Sequence, residues 1–219
     1  VGISLLTVDA FNSSTVVTVD DLLITTPTQV DDAPVFPDQL VVGNANQTVH
    51  ELERRRLIPM GGNQPMSVTE SFIERRSDGV DTLALGRGAT YSTFALSTTI
   101  EVELFDSGVV ACGLMLRNTG DEAYTVAFVD NFGGYGVSDR AGNAFTNSFY
   151  DENAAWAGTT GHNLLVVVNE GRVDYFINGR YVGSADLQLV EGQVGNIAMN
   201  YSPINSLCRF EDTWLWRWE

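Results

Sequence analysis

The stretch LLVVVNEGRVDYFINGRYVGSAD, residues 164–186, decides the fold. Glu170-Gly171 and Asn178-Gly179 cut it into three short runs. Asn-Gly adopts the positive φ that a two-residue type I′ turn requires at both central positions, and that turn matches the twist of the flanking strands. The runs are rich in Val, Ile, Tyr and Phe, side chains that suit a pleated, half-buried surface. The stretch therefore reads as three antiparallel strands joined by two tight turns.

Working outward, the rest of the chain has the same character. SVTESFIER, VDTLALG and STTIEVELFD are successive strands from Met66 onward, separated by Ser77-Asp78-Gly79 and Gly86-Arg87-Gly88. In the third, Ile100, Val102 and Leu104 alternate with Glu101 and Glu103, an apolar face towards a core and an acidic face towards water. GVVACGLMLRN and YTVAFVDN make a further hairpin through Thr119-Gly120-Asp121. Residues 131–161, rich in Gly, Asn and aromatics, contain a short Gly136-Val137-Ser138 strand at most and are expected to form the longest irregular loop. In the last strand, Cys208, Phe210, Trp214, Trp216 and Trp218 share one face by simple alternation and are expected to fill the core. The alternative is that Trp216 and Trp218 belong to an interface. Before Met66, GISLLTVDAF, STVVTVDDLLITT and QLVVG read as strands, Thr26–Asp38 as a Pro-broken loop, and QTVHELERRRL as either a short helix or an irregular connection.

The meander, followed by Gly192-Gln193-Val194-Gly195 and a closing strand, resembles the concanavalin A-like sandwich superfamily, in particular laminin G-like and related bacterial extracellular modules. Asn163, Leu164, Val166, Val168, Gly171, Tyr175, Asn178, Gly179 and Val182 carry the likeness. So do Gly113–Arg117 and Tyr124–Phe128 upstream. The resemblance implies an all-β, antiparallel β-sandwich of jelly-roll type over residues 62–219. Residues 1–61 are then an N-terminal extension with strands, either completing the sandwich or pairing with a neighbour. The family hosts lectins, glycosidases and adhesion modules, so the fold alone does not select a function.

The charge narrows the choice. The 219 residues carry a net −16, and all 12 basic residues are arginine. A basic footprint for nucleic acid or anionic lipid is absent, which excludes nucleic-acid binding. No apolar run reaches the roughly 20 residues of a membrane-spanning helix. A start at Val1 with no charged leader is what a mature protein shows after removal of its signal peptide, which points to an extracellular or cell-surface location. Cys112 and Cys208 each stand in phase with apolar neighbours, and form either one bridge closing a long loop or two buried thiols. Asn12, Asn46 and Asn200 head glycosylation sequons.

Catalytic signatures are missing. The E-x-D-x-x-E strand of glycosidases with this fold does not occur, Glu101 and Glu103 read as solvent-facing, and His50 and His162 lack partners at ligand spacing. By the resemblance, a calcium ion would sit at a loop rim, with Asp130, Asn131, Asp139 and Asn143 as oxygen donors. A glycan site would use the aromatics of 131–161, which holds Phe132, Tyr135, Phe145, Phe149, Tyr150 and Trp156. Tyr135 and Trp156 with Asn131, Asn143 and Asp151 are the candidates.

Two functions of different classes follow. The preferred one is a non-catalytic structural or adhesive surface protein, assembling with other copies of itself through strand edges into oligomers or filaments. Ile3, Leu5, Leu6 and Val8 of the apolar terminal run would make the contact. The alternative is a carbohydrate-binding module of a secreted protein, whose partner is a surface glycan.

Overall fold

A computed structural model describes residues 39–61, 64–86, 88–120, 122–157 and 161–218. The assembly candidates Ile3, Leu5, Leu6 and Val8, the sequon at Asn12 and the first two strand-like runs lie outside the described residues.

The described chain is a two-sheet antiparallel sandwich. Its strands are β1 (Met66–Arg75), β2 (Gly79–Ala84), β3 (Phe94–Leu104), β4 (Val110–Asn118), β5 (Ala123–Asp130), β6 (Gly134–Ala141), β7 (Ala144–Glu152), β8 (His162–Asn169), β9 (Arg172–Ile177), β10 (Arg180–Asp186), β11 (Gln193–Asn200) and β12 (Ser206–Arg217). The first sheet runs β1-β12-β3-β8-β9-β10 and the second β2-β11-β4-β5-β6-β7. The quoted stretch forms β8, β9 and β10, with Glu170, Asn178 and Gly179 all at positive φ in the two turns.

Inward side chains of both sheets meet in one core, where Leu96, Ile100, Leu114, Val166 and Val194 are fully buried or nearly so. Cross-links between the sheets include a disulfide and a buried tyrosine hydrogen bond. Cys112 of β4 and Cys208 of β12 are disulfide-bonded. The buried Tyr175 hydroxyl on β9 donates to the Phe128 carbonyl of β5 at 3.0 Å.

Residues 39–61 form a layer over the outer face of the first sheet. A helix, α1 (Ala45–Arg54), starts at a capping box in which Asn44 Oδ1 accepts from the Gln47 amide at 3.0 Å and Gln47 Oε1 from the Asn44 amide at 3.3 Å. Its buried Val49 and Leu52, with Leu40, Leu57 and Ile58, pack on Leu165, Val167, Phe176, Trp214 and Trp216. QLVVG is not a strand. Its Leu40 amide donates to the Gly179 carbonyl at 2.7 Å, so this segment crosses a hairpin turn instead of extending a sheet edge. A side chain at Gly179 would strike the Leu40 backbone, a second reason beside positive φ for glycine there.

The terminal strand departs from simple alternation. Glu211 faces Thr99 and Trp214 faces Ser97, so Asp212 and Thr213 together stand opposite Thr98. This bulge, with Asp212 at φ +50°, shifts the phase by one residue. Cys208, Phe210 and Leu215 point into the core, whereas Trp214 and Trp216 point outward beneath α1. Trp218, expected in the core, packs against that same outer cluster.

The larger correction concerns 131–161. Most of it is the hairpin β6–β7, turned at Gly142-Asn143, and only the ends are irregular. Gly-Asn between two strand runs is a recognised hairpin signal. It was masked by the glycines and asparagines around it, which read as loop composition.

Candidate functional site

The outer face of the second sheet is organised in ranks, because β5, β6 and β7 pair in register. Phe128, Gly136 and Tyr150 are mutual partners across the three strands. Gly136 has no side chain, so the Phe128 and Tyr150 rings lie near-parallel above it, with centroids 6.4 Å apart and planes at 26°. One rank along stand Val126, Ser138 and Asn147, with the Ser138 hydroxyl donating to Asn147 Oδ1 at 2.6 Å. The rank beyond is Tyr124, Arg140 and Phe145. Here Arg140 bonds the Tyr124 hydroxyl and lies over the Tyr124 and Phe145 rings, at 5.3 and 5.5 Å from their centroids.

A bulge in β7 makes this arrangement possible. Val137 faces Phe149 and Ser138 faces Asn147, leaving Ser148 as the extra residue. Phe149 thus turns in against Tyr175, while Phe145, Asn147 and Tyr150 all turn out. The result is a trough of about 300 Å³ floored by the small residues of β6. Its walls are Phe128, Phe145, Asn147 and Tyr150, and Val109, Met199 and Tyr201 close one side. Phe145, Tyr150 and Tyr201 are 37%, 45% and 56% exposed, open aromatic surface that has not been spent on the core.

Asp130 sits at the end of the trough and is nine-tenths buried. Its Oδ1 accepts from the amides of Phe132 and Gly134, both at 2.8 Å. Oδ2 and the Tyr150 hydroxyl share the space that a side chain at Gly134 would occupy. Burial pushes the Asp130 carboxyl up from the usual range against the pull of its amide donors, and Glu152 pushes the same way. The Tyr201 phenol is pushed up to about 12 by desolvation and then by Asp130 and Tyr150.

A second groove, of about 390 Å³, lies between the start of α1 and β1 and β12. Asn44, Asn46, Ser67, Thr69 and Asp212 line it, and its only aromatic, Trp214, is 3% exposed. It offers no open ring face.

In fold the chain is similar to a carbohydrate-binding module, CBM66, from Bacillus subtilis. The TM-score is 0.53 at 18% identity, covering 69% of this chain and 94% of that one. A β-glucanase from Bacillus licheniformis has a TM-score of 0.43 at 10% identity, covering 60% and 69%. Sheep galectin-11 has a TM-score of 0.40 at 9% identity, covering 60% and 96%. At these identities the likeness concerns the fold alone. No protein-family model and no curated protein sequence matches the chain.

The residues singled out from the sequence do not converge. Tyr135 and Trp156 are each 8% exposed and meet edge to face in the core, with centroids 4.6 Å apart, so neither presents a free stacking face. Asp151 accepts from the Tyr135 hydroxyl at 3.3 Å. Asn131 bridges the Val110 amide and the Gly108 carbonyl, and Asn143 sits in the exposed hairpin turn. Of the calcium candidates Asp130, Asn131, Asp139 and Asn143, Asp139 accepts from the Thr125 and Ser148 hydroxyls. It lies five residues along β6 from Gly134, about 17 Å from the Asp130 end. No cluster of three or more His, Cys, Asp or Glu suited to a metal occurs among the described residues. Of all these candidates, only Asp130 lines the trough.

Phe128 and Tyr201 escaped sequence reading because they lie outside 131–161, Phe128 on β5 and Tyr201 just past the end of β11. Phe145, Asn147 and Tyr150 were visible only as composition. The available signal was the Gly134-x-Gly136-x-Ser138 spacing, small residues at every second position, which marks one hollowed face of a strand.

Proposed function

We propose that this protein is a non-catalytic carbohydrate-binding module that takes a glycan along the trough over β6. The observation that carries the reading is the set of open rings, Phe145, Tyr150 and Tyr201, beside Ser138, Asn147 and Asp130 on one hollow face. Sugars present flat apolar faces edged by hydroxyls, and this surface offers rings for the former and polar side chains for the latter. The shared fold with a carbohydrate-binding module supports it. Among the described lining residues Asp130 is the one carboxylate, with Glu152 flanking that end beside Tyr150. Glu101 and Glu103, the same-face pair, lie on the first sheet, with Glu103 3.5 Å from Arg209. The disulfide supports an extracellular setting. Self-assembly has no comparable support, because its contact residues lie outside those described.

The test is a glycan microarray, followed by calorimetry on wild type and Tyr150→Ala. Binding that weakens roughly tenfold in the variant is expected. Absence of binding to any glycan at about 1 mM, or equal binding by the variant, would overturn the reading.

A further inference from the structure

The trough has an unbalanced electrostatic character. Asp130 is nine-tenths buried, and among the described residues no arginine or histidine lines the groove. Glu152 and the Tyr150 hydroxyl, which donates to Glu152 at 3.2 Å, flank the same end. Arg140, a cation of this face, is six residues along the strand from Gly134, about 20 Å away. That exceeds the screening length at physiological salt. Arg140 is already engaged by the Tyr124 hydroxyl, two ring faces and Glu122 at 3.6 Å. A buried carboxylate without a counter-charge is costly, and a ligand that supplies the charge recovers that cost on binding.

Near Asp130 the trough presents aromatic walls beside Val109 and Met199. Phe128 and Tyr150 stack beside it, and Tyr201 feels its charge. Ring faces with a carboxylate at their base form a receptor for an ammonium group, which gains from the ring quadrupoles and from the ion pair together. An acidic sugar meets the opposite condition, like charge in a partly desolvated site.

The geometry points to an amino sugar with a free, protonated amine as the ligand class, its ammonium at Asp130 and its ring against Tyr150 and Tyr201. This inference rests on the carbohydrate-binding reading above and goes beyond it by naming the class. Ser138 and Asn147, one rank along, are placed for hydroxyls of the adjoining residue, which favours an oligosaccharide over a lysine side chain.

Calorimetry would compare a deacetylated glucosamine oligosaccharide, its N-acetylated counterpart, a neutral glucose oligomer and an oligolysine peptide, at about pH 6 and about pH 9. Wild type, Asp130→Asn and Tyr201→Leu would be used, with circular dichroism confirming folding. The second variant alters an exposed ring. Expected is a preference for the deacetylated sugar of about tenfold or more at the lower pH, lost at the higher pH and in Asp130→Asn, and weakened in Tyr201→Leu. If the neutral or N-acetylated sugars bind as tightly, or if Asp130→Asn keeps the preference, the amino-sugar assignment falls and the glycan reading stands. Tighter binding of oligolysine would also overturn the assignment. No binding of any sugar would overturn both.

Discussion

Cys112 and Cys208 join the two sheets through the middle of the core, with Cα atoms 5.9 Å apart and a sequence separation of 96. A link across so long a loop restricts the unfolded chain strongly, and on the loop-entropy account is worth about 4 to 5 kcal/mol. Reduction under mild denaturant, or the Cys112→Ala/Cys208→Ala pair, should lower the unfolding free energy by about that amount. A denaturant titration with and without reductant measures it. A change below about 1 kcal/mol would show that the bridge is dispensable.

Arg117 is buried at one end of the sandwich at φ +53°, and its guanidinium donates to the carbonyls of Ser92, Glu170 and Leu189. Burial pulls its pKa below the ordinary arginine value, and three loop ends depend on its donors. Arg117→Met should strand those carbonyls and destabilise the fold by about 3 kcal/mol or more. Lysine should not rescue it, because an ammonium cannot reproduce the planar fork. Thermal melts of the two variants would read this directly.

His162 is 8% exposed, its Nε2 is unpartnered, and desolvation holds its pKa below 6.5 despite an opposing contact with the Trp156 backbone. The unfolded chain therefore takes up the proton first. This contribution to stability is complete above about pH 6.5 and declines as pH falls towards the lower folded value. Asp130 and Asp174 are raised by burial, so they act oppositely, the folded form binding the proton first as pH falls. Melts of wild type and His162→Gln between about pH 7.5 and 5.5 should converge as the pH falls. Parallel pH curves would contradict the assignment.

The sequons at Asn46 and Asn200 should behave differently in a host that glycosylates asparagine. Asn46 is exposed on α1. Asn200 is 4% exposed, donates to the Ile204 carbonyl at 2.8 Å and accepts from Ser206 at 2.7 Å. Peptide mass spectrometry of folded, secreted protein should find Asn200 unmodified. Full occupancy there would mean that modification precedes closure of this corner.

The sequence by itself determined the features that depend on a few neighbouring residues. Asn178-Gly179 specifies a turn because few residue pairs accept positive φ twice in succession, and the β-branched runs beside it have no competing helical period. The alternation of Ile100 and Val102 with Glu101 and Glu103 reads directly as the burial seen. Tertiary structure alone decided where the side chains of β7 and β12 point. One extra residue at Ser148, and another at Asp212-Thr213, inverts every position beyond it, and neither insertion is visible until the partner strand is known. Those two bulges send Tyr150 outward to the trough and Trp214 and Trp216 outward beneath α1. The trough itself exists because pairing brings Gly136 between Phe128 and Tyr150, residues up to 22 positions apart that only strand register sets in one row.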